Sequence, residues 1–124
     1  MATSIFRAIT KIFLMAITGS AVADGNKLLD QCQTAVQIMD GQNNFNNIEA
    51  VKLGQCLGFA AGVKNTLMIM SVPSPVKICW PEEGVSNGQA ARILHKYLKD
   101  NPQKLHEDET LLAMLSMSEA FACN

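Results

Sequence analysis

The sequence predicts an all-α fold, a small four-helix domain made of two antiparallel helical hairpins and stapled by disulfides. Four segments place apolar residues at the three- and four-residue spacing of one helix face. Asparagine-rich and proline-rich stretches separate these segments and interrupt the helical pattern. The chain has 124 residues and four cysteines, and an even number of cysteines in a short exported chain is typical of a disulfide framework.

The N-terminal stretch before Asp24 has the composition of a secretory signal peptide. Arg7 and Lys11 flank the start of a short apolar run, and Ala21–Ala23 is a small-residue cleavage site. The apolar run is shorter than the roughly 20 residues that a bilayer-spanning helix needs. We therefore expect a signal peptide over residues 1–23, its removal on export, and a mature domain over residues 24–124.

The mature domain is mildly acidic. Without Arg7 and Lys11, eight basic and eleven acidic side chains remain, and the basic ones form no stripe. This balance argues against a nucleic-acid partner, and no apolar stretch of the mature domain is long enough for a stable membrane span. A soluble exported protein is the class that remains.

The first two predicted helices run from about Gly25 to Asp40 and from about Ile48 to Met70. Asp24 is a plausible N-cap of the first helix. Asn46, with Glu49 three residues later, is typical of a capping box at the start of the second. The apolar face of the first helix consists of Leu28, Leu29, Cys32, Ala35, Val36 and Met39.

The other two predicted helices follow a proline-containing loop. The third starts after a Ser86 N-cap, with Gln89 completing the box pattern, and ends at Asn101-Pro102. The fourth runs from about Glu107 to Ala122, and its acidic first residues suit the positive end of the helix dipole.

The positions of the cysteines in these helices predict their pairing. Cys32 and Cys56 lie twelve residues either side of Asn44, the centre of the first hairpin turn, so antiparallel helices place them side by side. Cys79 precedes the third helix and Cys123 follows the fourth, at the open end of the second hairpin. We predict the disulfides Cys32–Cys56 and Cys79–Cys123, each stabilising by about 3–4 kcal/mol in the chain-entropy model. A zinc site is the alternative, but no pair of cysteines has the close spacing of a zinc knuckle.

Three glycines align on one face of the second helix. Gly54, Gly58 and Gly62 are four residues apart, and each costs about 1 kcal/mol of helix propensity relative to alanine. The interpretation we favour is close packing of another helix of the same chain against this strip. A seam between two copies of the chain is the alternative.

No residues in the sequence have the arrangement of a catalytic or metal site. His95 lies beside apolar positions of the third helix, and His106 precedes the fourth. The carboxylates of Glu107, Asp108 and Glu109 point in different directions around a helix. With the cysteines in disulfides, we expect neither an enzyme nor a cofactor nor a bound metal.

Four segments of the mature domain resemble, in order and spacing, the motifs of one family. They are Gly54–Val63 (GQCLGFAAGV), Cys79–Pro81 (CWP), Tyr97–Pro102 (YLKDNP) and Ala120–Cys123 (AFAC). On these segments the chain is similar to the Rap/Tai immunity domain family, over essentially the whole mature region. It departs from that family at Ala122, where members often have proline.

The resemblance implies a periplasmic immunity protein. Proteins of this type bind and block a peptidoglycan amidase effector that a type VI secretion system injects, which protects sister cells, and they tend to form homodimers. The export signal and the disulfides, which were inferred from the residues alone, are compatible with the periplasm.

The loop Ser71–Glu83 is the most conspicuous non-helical surface, and loops on rigid scaffolds often carry function. From loop position and chemistry, and not from the family, we expect Ser74 and Lys77 to offer hydrogen bonds to a partner. Glu82 and Glu83 would add charge complementarity.

A periplasmic acid-stress chaperone is the alternative function. Such a protein would expose apolar surface as its carboxylates become protonated. The two histidines and the modest number of acids in the sequence give little basis for a steep pH switch.

Overall fold

The structure is a computed structural model, and it describes residues 24–70 and 77–124. The predicted signal peptide and Ser74 lie outside the described residues. Four α-helices make up most of the described chain: α1 (Gly25–Met39), α2 (Asn47–Ile69), α3 (Asn87–Asp100) and α4 (Glu109–Ala120). A short 3-10 helix, Pro102–Lys104, lies between α3 and α4.

The predicted all-α class is confirmed. Within the described ranges no strand occurs, and the single isolated β-bridge joins Ile78 to Ala122. The arrangement as two antiparallel hairpins stays a prediction. No helix in the described part of the chain combines the length and apolar character needed to cross a membrane.

Polar caps fix where the helices start. Asn46 accepts hydrogen bonds from the amides of Ile48 and Glu49, and the Glu49 carboxylate accepts one from the Asn46 amide, which completes the predicted capping box. Ser86 accepts from the Gln89 amide at the start of α3. These bonds satisfy backbone donors that have no partner within the helix.

The fourth helix starts later than the sequence predicts. Asp108 is its N-cap and accepts from the amides of Thr110 and Leu111, so α4 begins at Glu109 and not at Glu107. The residues before it are held by a turn in which the Glu107 amide donates to the Lys104 carbonyl. His106 is therefore an exposed residue of this connection and not part of α4.

One core joins all four helices. Its largest fully buried side chains come from α1, α3 and α4: Leu28, Leu94, Leu98, Leu112 and Met117. Helix α1 approaches α4 closely at Gly25, where an added Cβ would lie 2.5 Å from Leu112 Cδ1 and 3.0 Å from backbone atoms of Leu105. A larger residue at this point would therefore require the Leu112 side chain to shift and would crowd the Leu105 backbone.

The predicted disulfides are present and join the predicted partners. Cys32 of α1 bonds to Cys56 of α2 with a Cα–Cα distance of 5.0 Å, and Cys79 bonds to Cys123 at 5.1 Å. Cys32 and Cys56 are both 0% exposed, so their bridge is part of the core. Beside it, Gln31 Nε2 donates to Gln55 Oε1 at 2.9 Å.

The glycine strip does not pack against another part of the described chain. A Cβ added at Gly54, Gly58 or Gly62 would meet no described heavy atom within 4 Å, and all three glycines are exposed. The favoured interpretation, close packing within the chain, is thus not found there. The physical reason is that α2 turns its opposite face, with Cys56 and Ala60, towards the core.

Candidate partner-binding site

The candidate site is the segment Lys77–Val85, which leads into α3 and which we call the anchored segment. Three of the four predicted contact residues lie in it. The side chains of Lys77, Glu82 and Glu83 are all exposed.

The start of the anchored segment is fastened to the chain beyond α4. Ile78 and Ala122 form an antiparallel bridge, and the Cys79 amide donates to the Phe121 carbonyl at 2.8 Å. The Cys79–Cys123 disulfide joins the same two stretches across a sequence separation of 44. A disulfide and a backbone hydrogen bond therefore hold the start of the segment against the residues that follow α4.

An aromatic contact reinforces this attachment. The rings of Trp80 and Phe121 lie 5.2 Å apart between centroids and are tilted by 41°. Tilted aromatic pairs at this distance are favourable beyond the area that they bury. Both side chains also pack against the hydrophobic core, so they connect the segment to the interior.

The acidic pair lies at the tip of a turn. The Gly84 amide donates to the Pro81 carbonyl at 3.0 Å, which places Glu82 and Glu83 at the two central positions of the turn. Gly84 has φ of 77°, a left-handed conformation in which a residue with a Cβ is strained. The turn thus presents two neighbouring carboxylates to solvent.

Lys64 of α2 holds the other end of the segment. Its side chain is only 6% exposed, and Nζ donates to the Val85 carbonyl at 2.8 Å and to Asn87 Oδ1 at 2.9 Å. A buried ammonium group is costly unless it is hydrogen-bonded, and these two acceptors compensate for its burial. The acidic turn is therefore supported on both sides.

The role of Lys64 was not predicted from the sequence, although a signal was present. Lys64 follows Ala60 by four residues and Cys56 by eight, which places it on the core-facing side of the helix. A charged residue in that position predicts a buried polar contact. The identity of its partners was not predictable, because Val85 and Asn87 lie more than twenty residues further along the chain, in the loop before α3 and at the start of α3.

Within the described residues, the charged side chains of the site take part in no ion pair. The three ion pairs found there are Asp30–Lys52, Asp40–Arg92 and Lys96–Asp100. None of them includes Lys77, Glu82 or Glu83. These groups can therefore interact with a partner without breaking an ion pair seen in the structure.

His95 contacts the first helix. His95 Nε2 is 2.7 Å from Gln33 Oε1 of α1, and partial burial, with a smaller effect of Lys99, lowers the pKa of His95. Across residues 24–70 and 77–124, no group of three or more His, Cys, Asp or Glu side chains has a metal-binding arrangement.

Comparison with known proteins identifies the family. No curated protein and no solved structure is significantly similar to the chain. The family profile of the Rap1a immunity proteins matches residues 24–123, a range that starts at the first residue after the predicted cleavage position. Membership of an immunity family implies a non-enzymatic protein that binds a secreted effector. The chain belongs to the Rap1a immunity protein family.

Proposed function

We propose that this protein is a periplasmic immunity protein that binds and blocks a peptidoglycan amidase delivered by a type VI secretion system. The observation on which the proposal rests is the family match over residues 24–123. The resemblance of four segments to the Rap/Tai motifs supports the amidase as target. Two disulfides and the signal-like N-terminal stretch support the periplasm, because disulfides persist in oxidising compartments.

In this proposal the anchored segment makes the decisive contact. Its acidic turn is held by Lys64 on one side and by the Cys79–Cys123 bridge on the other. A surface that is already ordered loses less conformational entropy on binding. Glu82 and Glu83 would pair with basic groups around the cleft of the effector, and Lys77 and Ser74 would donate hydrogen bonds at its rim.

Periplasmic co-expression tests the function. A peptidoglycan amidase effector of a type VI secretion system is directed to the periplasm of a sensitive host, with or without the immunity protein. We expect lysis without the protein and normal growth with it. Lysis at the same rate in both cases, with the protein present in the periplasm, would refute the proposal.

Charge-neutralising variants test the contact surface in the same assay. Glu82→Gln and Glu83→Gln should each weaken protection, because each removes one carboxylate without changing the shape of the turn. Glu107→Gln is the matched control, since it removes one carboxylate from the connection before α4. Equal protection by all three variants would place the contact elsewhere on the molecule.

We also propose that the working form is a homodimer with the glycine strip as its seam. Gly58 is the midpoint of Asn47–Ile69, so a two-fold axis at Gly58 sets Gly54 of one copy against Gly62 of the other. The strip continues into exposed Val51 and Ile69. The charged residues of α2 do not obstruct it: Glu49 is in the capping box, Lys52 pairs with Asp30, and Lys64 is buried.

Sedimentation equilibrium of Gly58→Leu tests this seam. The leucine fits within one copy, since an added Cβ meets no described atom within 4 Å, but it separates two backbones. We expect dimer affinity to fall at least about tenfold, which is a cost of about 1.4 kcal/mol. Gln89→Leu adds the same side chain at an exposed site on α3 and should leave the affinity unchanged. An unchanged dimer, or no dimer in the parent protein, would refute the seam.

A further inference from the structure

The two disulfides of this protein lie in opposite environments. Cys32 and Cys56 are both 0% exposed within the core, whereas Cys79 and Cys123 are both exposed. Thiol–disulfide exchange requires a thiolate to reach a sulfur atom. A water-soluble thiol can therefore attack the Cys79–Cys123 disulfide in the folded protein. It reaches the Cys32–Cys56 disulfide only after the core opens.

The surroundings of the exposed bridge allow it to open locally. Cys123 lies beyond the last residue of α4, Ala120. Three non-covalent contacts neighbour the disulfide. They are the hydrogen bond from the Cys79 amide to the Phe121 carbonyl, the β-bridge between Ile78 and Ala122, and the contact between the Trp80 and Phe121 rings. None of the fully buried core side chains belongs to this stretch. Separation of the two sulfurs therefore does not require a core helix to move.

The geometry points to the Cys79–Cys123 disulfide as a site of thiol–disulfide exchange with a dithiol reductant, selective over Cys32–Cys56. One thiolate of the dithiol attacks a sulfur of the bridge, forms a mixed disulfide and expels the other cysteine as a thiolate. The second thiol of the reductant then attacks the mixed disulfide and releases the remaining cysteine. Two electrons pass to the protein, which gains two thiols, and the dithiol leaves as a disulfide.

Exchange at this site has a structural consequence. It removes the disulfide cross-link between the anchored segment and the residues that follow α4, and it leaves Cys32–Cys56 in place between α1 and α2. The helical domain therefore stays folded while the segment that bears Glu82 and Glu83 is released from one of its supports. This inference goes beyond the proposed immunity function, and it is testable on the protein alone.

The test is partial reduction of the folded mature protein. Dithiothreitol serves as the dithiol under native conditions, acid stops the exchange, and the free thiols are alkylated and mapped by mass spectrometry. We expect complete labelling of Cys79 and Cys123 while Cys32 and Cys56 remain unlabelled, with the helical circular dichroism signal retained. Labelling of all four cysteines along one time course, or only together with loss of the helical signal, would overturn the inference.

A double variant provides a second measurement. Cys79→Ser combined with Cys123→Ser should show no labelling under the native conditions and should keep its helical signal. Hydrogen exchange at the amide of residue 79 should become faster than in the oxidised parent, because the disulfide no longer reinforces the hydrogen bond from this amide to the Phe121 carbonyl. Unchanged exchange there would contradict local release. If the variant fails to fold, the labelling of the parent protein still decides between selective and global reduction.

Discussion

At the scale of single residues, Lys64 shows how a charged side chain can stabilise a contact between a helix and a loop. Its aliphatic stem crosses the core-facing side of α2, and its Nζ group reaches two oxygen acceptors. No carboxylate is among these partners. The contact works because two short hydrogen bonds compensate for the burial of the ammonium group.

Lys64→Met tests this account. The methionine fills similar space, but it leaves the Val85 carbonyl without its donor. We expect the free energy of unfolding to fall by about 1–3 kcal/mol, the cost of an unsatisfied buried acceptor. Urea denaturation measures the change.

Lys52→Met is the matched control for this prediction. Lys52 pairs with Asp30 at 2.7 Å, but both side chains are partly solvated. A surface pair of this kind contributes about 0–1 kcal/mol. Equal losses in the two variants would contradict the assigned role of Lys64.

His95 makes stability depend on pH. Burial, with a smaller effect of Lys99, lowers the pKa of His95 below the ordinary histidine value of about 6.5, so the unfolded chain binds the proton more readily than the folded protein. Stability therefore rises with pH through this range and is lost as the pH falls through 6.5 towards the lowered value. We expect the protein to unfold at a lower urea concentration at about pH 5.5 than at about pH 7.5.

His95→Gln should reduce this pH dependence. The substitution removes the titrating group and keeps a side chain that can hydrogen-bond to Gln33. His106→Gln is the control, since His106 is exposed. A pH dependence that is lost in the control and kept in His95→Gln would contradict the assignment.

At the scale of elements, helix starts were predictable where the cap and the apolar pattern agree. The Asn46 box and the Ser86 cap lie where the sequence places them, because both depend on contacts within four residues. The start of α4 was predicted too early, at about Glu107, since Glu107, Asp108 and Glu109 all suit a helix N-terminus. The structure selects Asp108 because its side chain reaches two free amides.

Asp108→Ala tests this helix start. We expect the free energy of unfolding to fall by about 1 kcal/mol, as is usual for loss of an N-cap. Glu107→Ala should change it by no more than about 0.5 kcal/mol, because Glu107 precedes the cap. The reverse order of the two losses, measured by urea denaturation, would place the cap at Glu107.

The anchored segment was predictable only in part. Its exposure and its charges follow from the prolines and from the residue types in the sequence. Its attachment to Phe121 and Ala122 depends on chain segments far apart in sequence, and no local pattern indicates such backbone contacts. For this segment, the long-range contact that the helix positions predicted was the Cys79–Cys123 disulfide.

At the scale of the whole molecule, the sequence predicted the fold class and both disulfides, but it assigned the glycine strip to the interior. The spacing of the glycines shows that another backbone can approach one face of α2 closely. It does not show whether that face is turned towards the core or towards solvent. The core face of α2 is set instead by Cys56, Ala60 and Lys64. The strip is consequently an outer surface, which is the basis of the proposed dimer.

The central claim is that this small, doubly cross-linked helical domain blocks a secreted amidase by binding it. The most direct measurement is peptidoglycan hydrolysis by the purified amidase effector during titration with purified mature protein, residues 24–124. The account predicts that hydrolysis falls to zero near stoichiometric protein, and that Glu82→Gln and Glu83→Gln need more protein than Glu107→Gln does. Hydrolysis at an unchanged rate in excess folded, oxidised protein would contradict it.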